Sequence, residues 1–148
     1  MYKTDRSILS YLQVDASLSV GDLANKVSIS KSACWRRIQK LEERGVIRGR
    51  VTLLNANALG LDLTVFISVR TNQHNEPWAK KFRATVENIP GVLEVYRMGG
   101  DVDYLIKALV QGMSGYDKLY QELIKADLYD VTASFVMDVI KETSELPL

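Results

Sequence analysis

The chain has 148 residues, 47% of them hydrophobic and 25% charged, with a formal net charge of +1. That is the composition of an ordinary globular protein, long enough for one domain or two small ones. One cysteine excludes an intrachain disulfide framework, and no apolar run approaches the roughly 20 residues of a membrane span. Residues 1–5 lack the apolar core of a secretory signal, so the expected compartment is the cytoplasm and no membrane partner is expected.

The near-neutral total hides an asymmetry. Residues 1–60 carry ten Lys/Arg against five Asp/Glu, whereas residues 61–148 carry nine against thirteen. Residues 26–50 alone hold eight cations, Lys26, Lys31, Arg36, Arg37, Lys40, Arg44, Arg48 and Arg50, opposed only by Glu42 and Glu43. Such a concentration of positive charge in an otherwise balanced chain points to a polyanionic partner, and the asymmetry between the halves to nucleic-acid contact by the first.

In chain order, Ile8, Leu9 and Leu12 put an apolar stripe on a first helix that starts near Asp5. Ser19 with Asp22 three residues on has capping-box spacing, and Val20, Leu23, Ala24 and Val27 then repeat on one face of a second helix. The stretch Ser28-Ile29-Ser30 breaks that pattern. Ser30 suits the cap of a third helix over residues 31–44, ended by Gly45.

On the third helix Cys34, Ile38 and Leu41 point inward, while Ser32, Arg36, Gln39 and Lys40 point away and Trp35 and Arg37 flank them. A helix face mixing Ser, Gln, Lys and Arg suits base edges and phosphates in a major groove. Its plainer alternative is a solvated basic face on a three-helix bundle. The alternating run over residues 47–53 reads as a strand or wing with Arg48 and Arg50 on one side. Cys34 falls on the buried stripe, where a free cysteine acts as a small hydrophobe. Trp35 has two readings, stacking against DNA or covering the edge of the bundle.

The order Asp5-Arg6-x-Ile8-Leu9, Leu12-Gln13, Leu23-Ala24, Ser30 and Arg36-Arg37-Ile38-x-x-Leu41-Glu42-x-x-Gly45-Val46-Ile47 resembles the DNA-binding domain of the Lrp/AsnC family of leucine-responsive, or feast/famine, transcriptional regulators. The resemblance implies a helix-turn-helix with the helix over residues 30–44 as reader. With that helix as reader, its outward face and the local charge give Ser30, Lys31, Ser32, Trp35, Arg36, Arg37, Gln39, Lys40, Arg48 and Arg50 as the DNA-contacting set. Two positions depart from the family pattern: Ser28 stands where a Gly is often found, and Arg50 where a Tyr is common.

Residues 53–60, containing Asn55-Ala56-Asn57-Ala58-Leu59-Gly60, are polar, small and helix-breaking and read as a hinge between a head (1–52) and a body (61–148). In the body, Leu61, Leu63, Val65, Ile67 and Val69 alternate with Asp62, Thr64, Phe66, Ser68 and Arg70 as a half-buried strand. Pro77 then opens a helix carrying Trp78, Phe82 and Val86 on one side. Strands are predicted over residues 92–98 and 104–110, a helix around Tyr116, Leu119, Tyr120, Leu123 and Ile124, and a last strand over 131–140. This is β-α-β twice, the ferredoxin-like βαββαβ arrangement, and the fold class is α+β. Such a sheet carries helices on one face. The other face, with Phe66, Ser134 and Val136 on it, is too apolar for water, and burial against a second copy is the economical solution. This half resembles the regulator-of-amino-acid-metabolism domain, related to ACT-like folds. That resemblance implies a homo-dimer assembling to a higher oligomer, an octamer in many members.

The segment Gly99-Gly100-Asp101-Val102-Asp103-Tyr104 is ordinary hairpin chemistry by its residue types. It also suits a free amino acid, since glycine N–H groups approach a carboxylate and an Asp pairs with an ammonium. The resemblance favours the second reading. It implies Gly100, Asp101 and Asp103 beside an effector site between subunits, with Thr132 and Ser134 on its wall.

Enzymatic constellations are absent from the sequence. His74 is alone in a polar loop, with no metal-ligand spacing around it, no phosphate-binding glycine loop and no nucleophile elbow. No catalytic residue, metal or cofactor is expected beyond an amino-acid effector. The sequence thus predicts a sequence-specific DNA-binding transcription regulator modulated by a free amino acid. The alternative is an amino-acid-sensing interaction module whose basic head docks an acidic protein.

Overall fold

Three helices, α1 (Lys3–Val14), α2 (Val20–Lys26) and α3 (Lys31–Glu43), form the N-terminal part of the computed structural model, which describes residues 1–148. Ser19 Oγ caps α2 by accepting from the Asp22 N–H at 3.0 Å, and Ser30 Oγ caps α3 by accepting from the Ala33 N–H at 3.2 Å. Ile8, Leu23, Ala24, Cys34 and Ile38 are buried together, with Leu12, Leu18, Val20, Val27, Ile29 and Ile47 packed around them. Each fully buried Ile or Leu stabilises by about 1.5–3 kcal/mol.

Helices α2 and α3 end in the same hydrogen-bond pattern. Ile29 N–H reaches the Ala24 carbonyl at 3.0 Å and Ser28 N–H the Asn25 carbonyl at 3.3 Å; Val46 N–H reaches Leu41 and Gly45 N–H reaches Glu42, both at 2.9 Å. This closure needs one left-handed residue. Gly45 takes it at φ +69°, and Ser28 takes the equivalent position at φ +57° although it carries a side chain.

The expected strand over residues 47–53 does not form. Beyond Ile47 the chain is exposed and without strand structure, because a lone extended segment has no ladder partner within its own unit. The unit comprises Met1–Leu53 together with Ile140–Leu148. The latter segment, which the sequence assigns to the body, is tied to α1 through Gln13. Its side-chain Nε2 donates to the Leu146 carbonyl at 3.0 Å and its Oε1 accepts from the Leu146 N–H at 2.8 Å.

The second unit, Leu54–Val139, contains β1 (Leu63–Arg70), α4 (Glu76–Glu87), β2 (Val92–Arg97), β3 (Tyr104–Val110), α5 (Gly112–Leu123) and β4 (Asp130–Phe135). The strands form one antiparallel sheet in the order β2-β3-β1-β4, the ferredoxin-like arrangement. Val65, Ile67 and Val69 of β1 and Ile106, Ala108 and Val110 of β3 are buried with Trp78, Phe82 and Val86 of α4 and Leu119 and Leu123 of α5. Helix α4 starts where Asn75 Oδ1 accepts from the Trp78 N–H at 2.9 Å, with Pro77 in its first turn.

The last strand is shorter than the alternation over residues 131–140 suggests. Val65 pairs with Phe135, and a last bond runs from the Val136 N–H to the Thr64 carbonyl at 3.0 Å. β1 begins at Leu63, so β4 runs out of partner one residue further on. On the sheet face away from the helices, Phe66 lies between Lys107 and Ser134, and Ser68 between Leu105 and Thr132.

Candidate nucleic-acid interface and effector segment

Helix α3 buries Cys34, Ile38 and Leu41 and exposes Lys31, Ser32, Trp35, Arg36 and Lys40. Burial pushes the Cys34 thiol above its ordinary range, which suppresses the thiolate and leaves the residue a packing group. Trp35 is 54% exposed. It also lines a shallow recess with Leu12, Leu18, Ile38 and Gln39.

The cations fall into two groups. Lys31, Arg36, Lys40 and Arg48 form no ion pair within the chain, nor does Arg44, which the predicted contact set lacks. Arg36, Lys40 and Arg44 share with Arg37 a recess beside α1. The signal for Arg44 was the local charge count, which the reading of the helix as ending there obscured. The second group is engaged. Arg50 Nη1 lies 2.9 Å from Glu42 Oε1, and Gln39 Nε2 donates to Glu42 Oε2 at 3.3 Å. Arg37 Nη1 lies 2.8 Å from Oδ1 of Asp5, a buried carboxylate on α1.

These pairs differ in kind. Arg50 and Glu42 are 46% and 32% exposed, and an open pair of that sort is worth about 0–1 kcal/mol. The Asp5 side chain is 7% exposed, and removing its partner would strand a buried charge.

In the body, residues 98–103 form the turn between β2 and β3. Met98 N–H donates to the Asp103 carbonyl at 2.8 Å, and Asp103 N–H to the Val69 carbonyl at 3.0 Å. Asp103 Oδ2 accepts from the Thr71 N–H at 2.8 Å, so this carboxylate already ties the hairpin to the end of β1. Gly100, at φ +121°, and Asp101 are exposed at the tip. Thr132 and Ser134 are exposed on β4, which β1 separates from β3, so the two groups stand at least two strand spacings, about 9–10 Å, apart. One chain therefore does not gather the predicted effector set into a single cavity.

A recess of the body of about 670 Å³ lies instead between α4 and β2, with Trp78, Phe82, Arg83, Arg97 and Tyr104 among its walls and Asp103 as its sole member of the predicted set. Its floor is the stacked Trp78–Phe82 pair, ring centroids 5.2 Å apart, which is the unit's own core. No cluster of three or more His, Cys, Asp or Glu is arranged to hold a metal ion, and no helix is long and apolar enough to cross a membrane.

Comparison with known proteins matches both units. Residues 2–48 fit the family model described as winged helix-turn-helix DNA-binding, and residues 64–146 that of the Lrp/AsnC ligand binding domain. The chain is 44% identical over 145 residues to the glutamate uptake regulatory protein of Zymomonas mobilis, covering 97% of this chain and 88% of that one. It superposes on the crystal structure of an AsnC family transcriptional regulator from Agrobacterium tumefaciens with a TM-score of 0.94 at 48% identity, covering 99% and 97% of the two chains. It also superposes on the transcriptional regulator NMB0573 of Neisseria meningitidis, solved as a complex with L-Met, with a TM-score of 0.93 at 32% identity, covering 99% and 96%.

Proposed function

The chain belongs to the Lrp/AsnC family and is a DNA-binding transcriptional regulator rather than an enzyme, and from that premise we propose that its signal is a free amino acid held between subunits of the body. The observation that carries this reading is the separation of Gly100 and Asp101 from Thr132 and Ser134 by the width of two strands. Polar groups so placed come together around one small ligand when a second protomer supplies one set. The N–H groups of the tip would take the ligand carboxylate and Asp101 its ammonium, while Asp103 keeps the turn in shape. The L-Met complex of the Neisseria regulator supports the ligand class. The ligand side chain, unseen by these contacts, sets specificity against the remaining wall.

In the head, Ser32, Trp35, Arg36 and Gln39 face the bases. Lys31, Lys40, Arg44 and Arg48 face phosphates, joined by Arg50 when it leaves Glu42. The head residues 1–52 act as the DNA-binding domain. The body dimerises through the sheet face bearing Phe66, Ser134 and Val136 and builds toward a higher oligomer, an octamer being the expected form. A stable interface of this type buries about 1,600 Å². No observation favours docking to an acidic protein.

The test is a thermal-shift and calorimetric screen of the free amino acids. A ligand at 100 times its Kd should stabilise the protein by about 2.7 kcal/mol, and Asp101→Ala should abolish the shift while leaving the unliganded melting temperature unchanged. Absence of binding by every amino acid, or a shift untouched by Asp101→Ala, would leave the hairpin as only a turn.

A further inference from the structure

Helix α1 contributes two buried side chains to the head, Asp5 and Ile8. Ile8 packs in the apolar cluster, a contact without direction that tolerates rotation of one helix against another. Asp5 is directional. Its Oδ1 accepts from Arg37 Nη1 at 2.8 Å and its Oδ2 from the Tyr2 N–H at 3.3 Å. The Tyr2 ring lies 5.5 Å from the guanidinium carbon of Arg37 and holds it from another side. Arg37 sits next to Arg36 on α3, so whatever fixes the azimuth of Arg37 also fixes the direction in which Arg36, Ser32 and Gln39 leave the helix.

We propose that the Asp5–Arg37 pair, clasped by Tyr2, is a positioning device that sets the rotation of α3 about its own axis, and that Arg37 serves DNA binding through this pair and not as a phosphate ligand. The proposal rests on α3 being the DNA-reading helix. The sign of one substitution separates the two roles. Asp5 is an anion among the cations of α3. If Arg37 only attracted phosphate, Asp5 would oppose binding, and neutralising it would tighten the complex. If the pair aims the helix, the same change weakens discrimination between sequences, because base-edge contacts depend on alignment and phosphate contacts far less.

The experiment compares the full-length protein with Asp5→Asn, Arg37→Met, the double variant Asp5→Leu/Arg37→Met, and Arg36→Ala. Each is measured on a duplex selected by the wild type from a random pool and on a random duplex, across a salt series, with thermal melting alongside. Asp5→Asn and Arg37→Met should each lower the selected-to-random affinity ratio by about tenfold or more, as expected when a base contact is lost, with the salt slope unchanged. The apolar double variant should melt like the wild type, since well-packed apolar replacements of buried pairs are commonly neutral or better, yet keep the lowered ratio. Tighter or unchanged binding by Asp5→Asn overturns the proposal. So does a salt slope reduced by about 0.9 in Arg37→Met with the ratio intact, the mark of one lost phosphate contact. So does a double variant that regains the wild-type ratio, which would make the pair a stability element alone. A normal ratio in Arg36→Ala overturns the reading of α3 itself and the proposal with it; a lowered ratio there beside a normal Asp5→Asn overturns the proposal only.

Discussion

The head and the body hold their functional groups in opposite ways. In the head, the side chains proposed to face DNA lie on one helix, α3, and on the short segment that follows it, within 20 residues of each other. In the body, the candidate ligand groups sit about 30 residues apart in sequence, on a hairpin tip and on a strand that β1 keeps away from it. A site carried by one helix is complete once that helix is capped and packed. A site divided across a sheet is completed only by a second copy, which gives an effector a means of acting on assembly. On the proposed reading, the same chain carries a self-contained reader and a sensor completed by a second copy.

The largest effect that probes this contrast is in the head. If a dimer makes about 6–10 phosphate contacts, affinity should fall roughly 10³–10⁵-fold between 50 and 200 mM salt, and a flat salt dependence in a filter-binding series would remove the electrostatic basis of the reader. Next comes the incompleteness of the body. Phe66, half-buried between Lys107 and Ser134 on the helix-free sheet face, should be a central interface residue. Phe66→Asp is expected to cost about 2–4 kcal/mol of association, visible in sedimentation as dissociation at micromolar concentration, and an unaltered oligomer would move the interface elsewhere.

Smaller effects compare how each unit uses a left-handed residue. In the body Gly91, at φ +90°, approaches β3 so closely that an added Cβ would lie 2.8 Å from the Leu109 carbonyl oxygen. Gly91→Ala should therefore destabilise by about 2–3 kcal/mol in denaturant unfolding of the full chain. In the head the equivalent device is less optimised. Ser28 occupies the position that Gly45 fills at the end of α3, and Ser28→Gly is expected to stabilise by about 0.5–1 kcal/mol, the relief of left-handed strain less the entropy glycine adds to the unfolded state. A loss of stability there would show that the Ser28 side chain has a partner of its own.

What was legible in the sequence follows from how local each feature is. The strand β1 could be read from the alternation of Val65, Ile67 and Val69, and α3 from Ser30, the stripe Cys34, Ile38 and Leu41, and Gly45, because each depends on neighbours a few residues away. The end of β4 could not, since it is set by where β1 starts. The engagement of Arg37 was hidden because Asp5 is 32 residues distant, and the bond from Thr71 to Asp103 spans the same separation. Residues 47–53 misled in the other direction: alternation describes a segment able to be a strand, and a strand also needs an edge to pair with. The split of the effector set is a property of strand order, which no local pattern carries; only the family resemblance pointed to a site between subunits.

The most direct test of the central claim is a pair of DNA-binding isotherms, with and without the amino acid found by the screen. Linkage requires that ligand and DNA change each other's affinity by one factor, and a coupling of about 1–3 kcal/mol corresponds to a 5- to 150-fold shift in the DNA midpoint, abolished by Asp101→Ala. Coincident isotherms under saturating ligand, with ligand binding itself intact, would contradict the account.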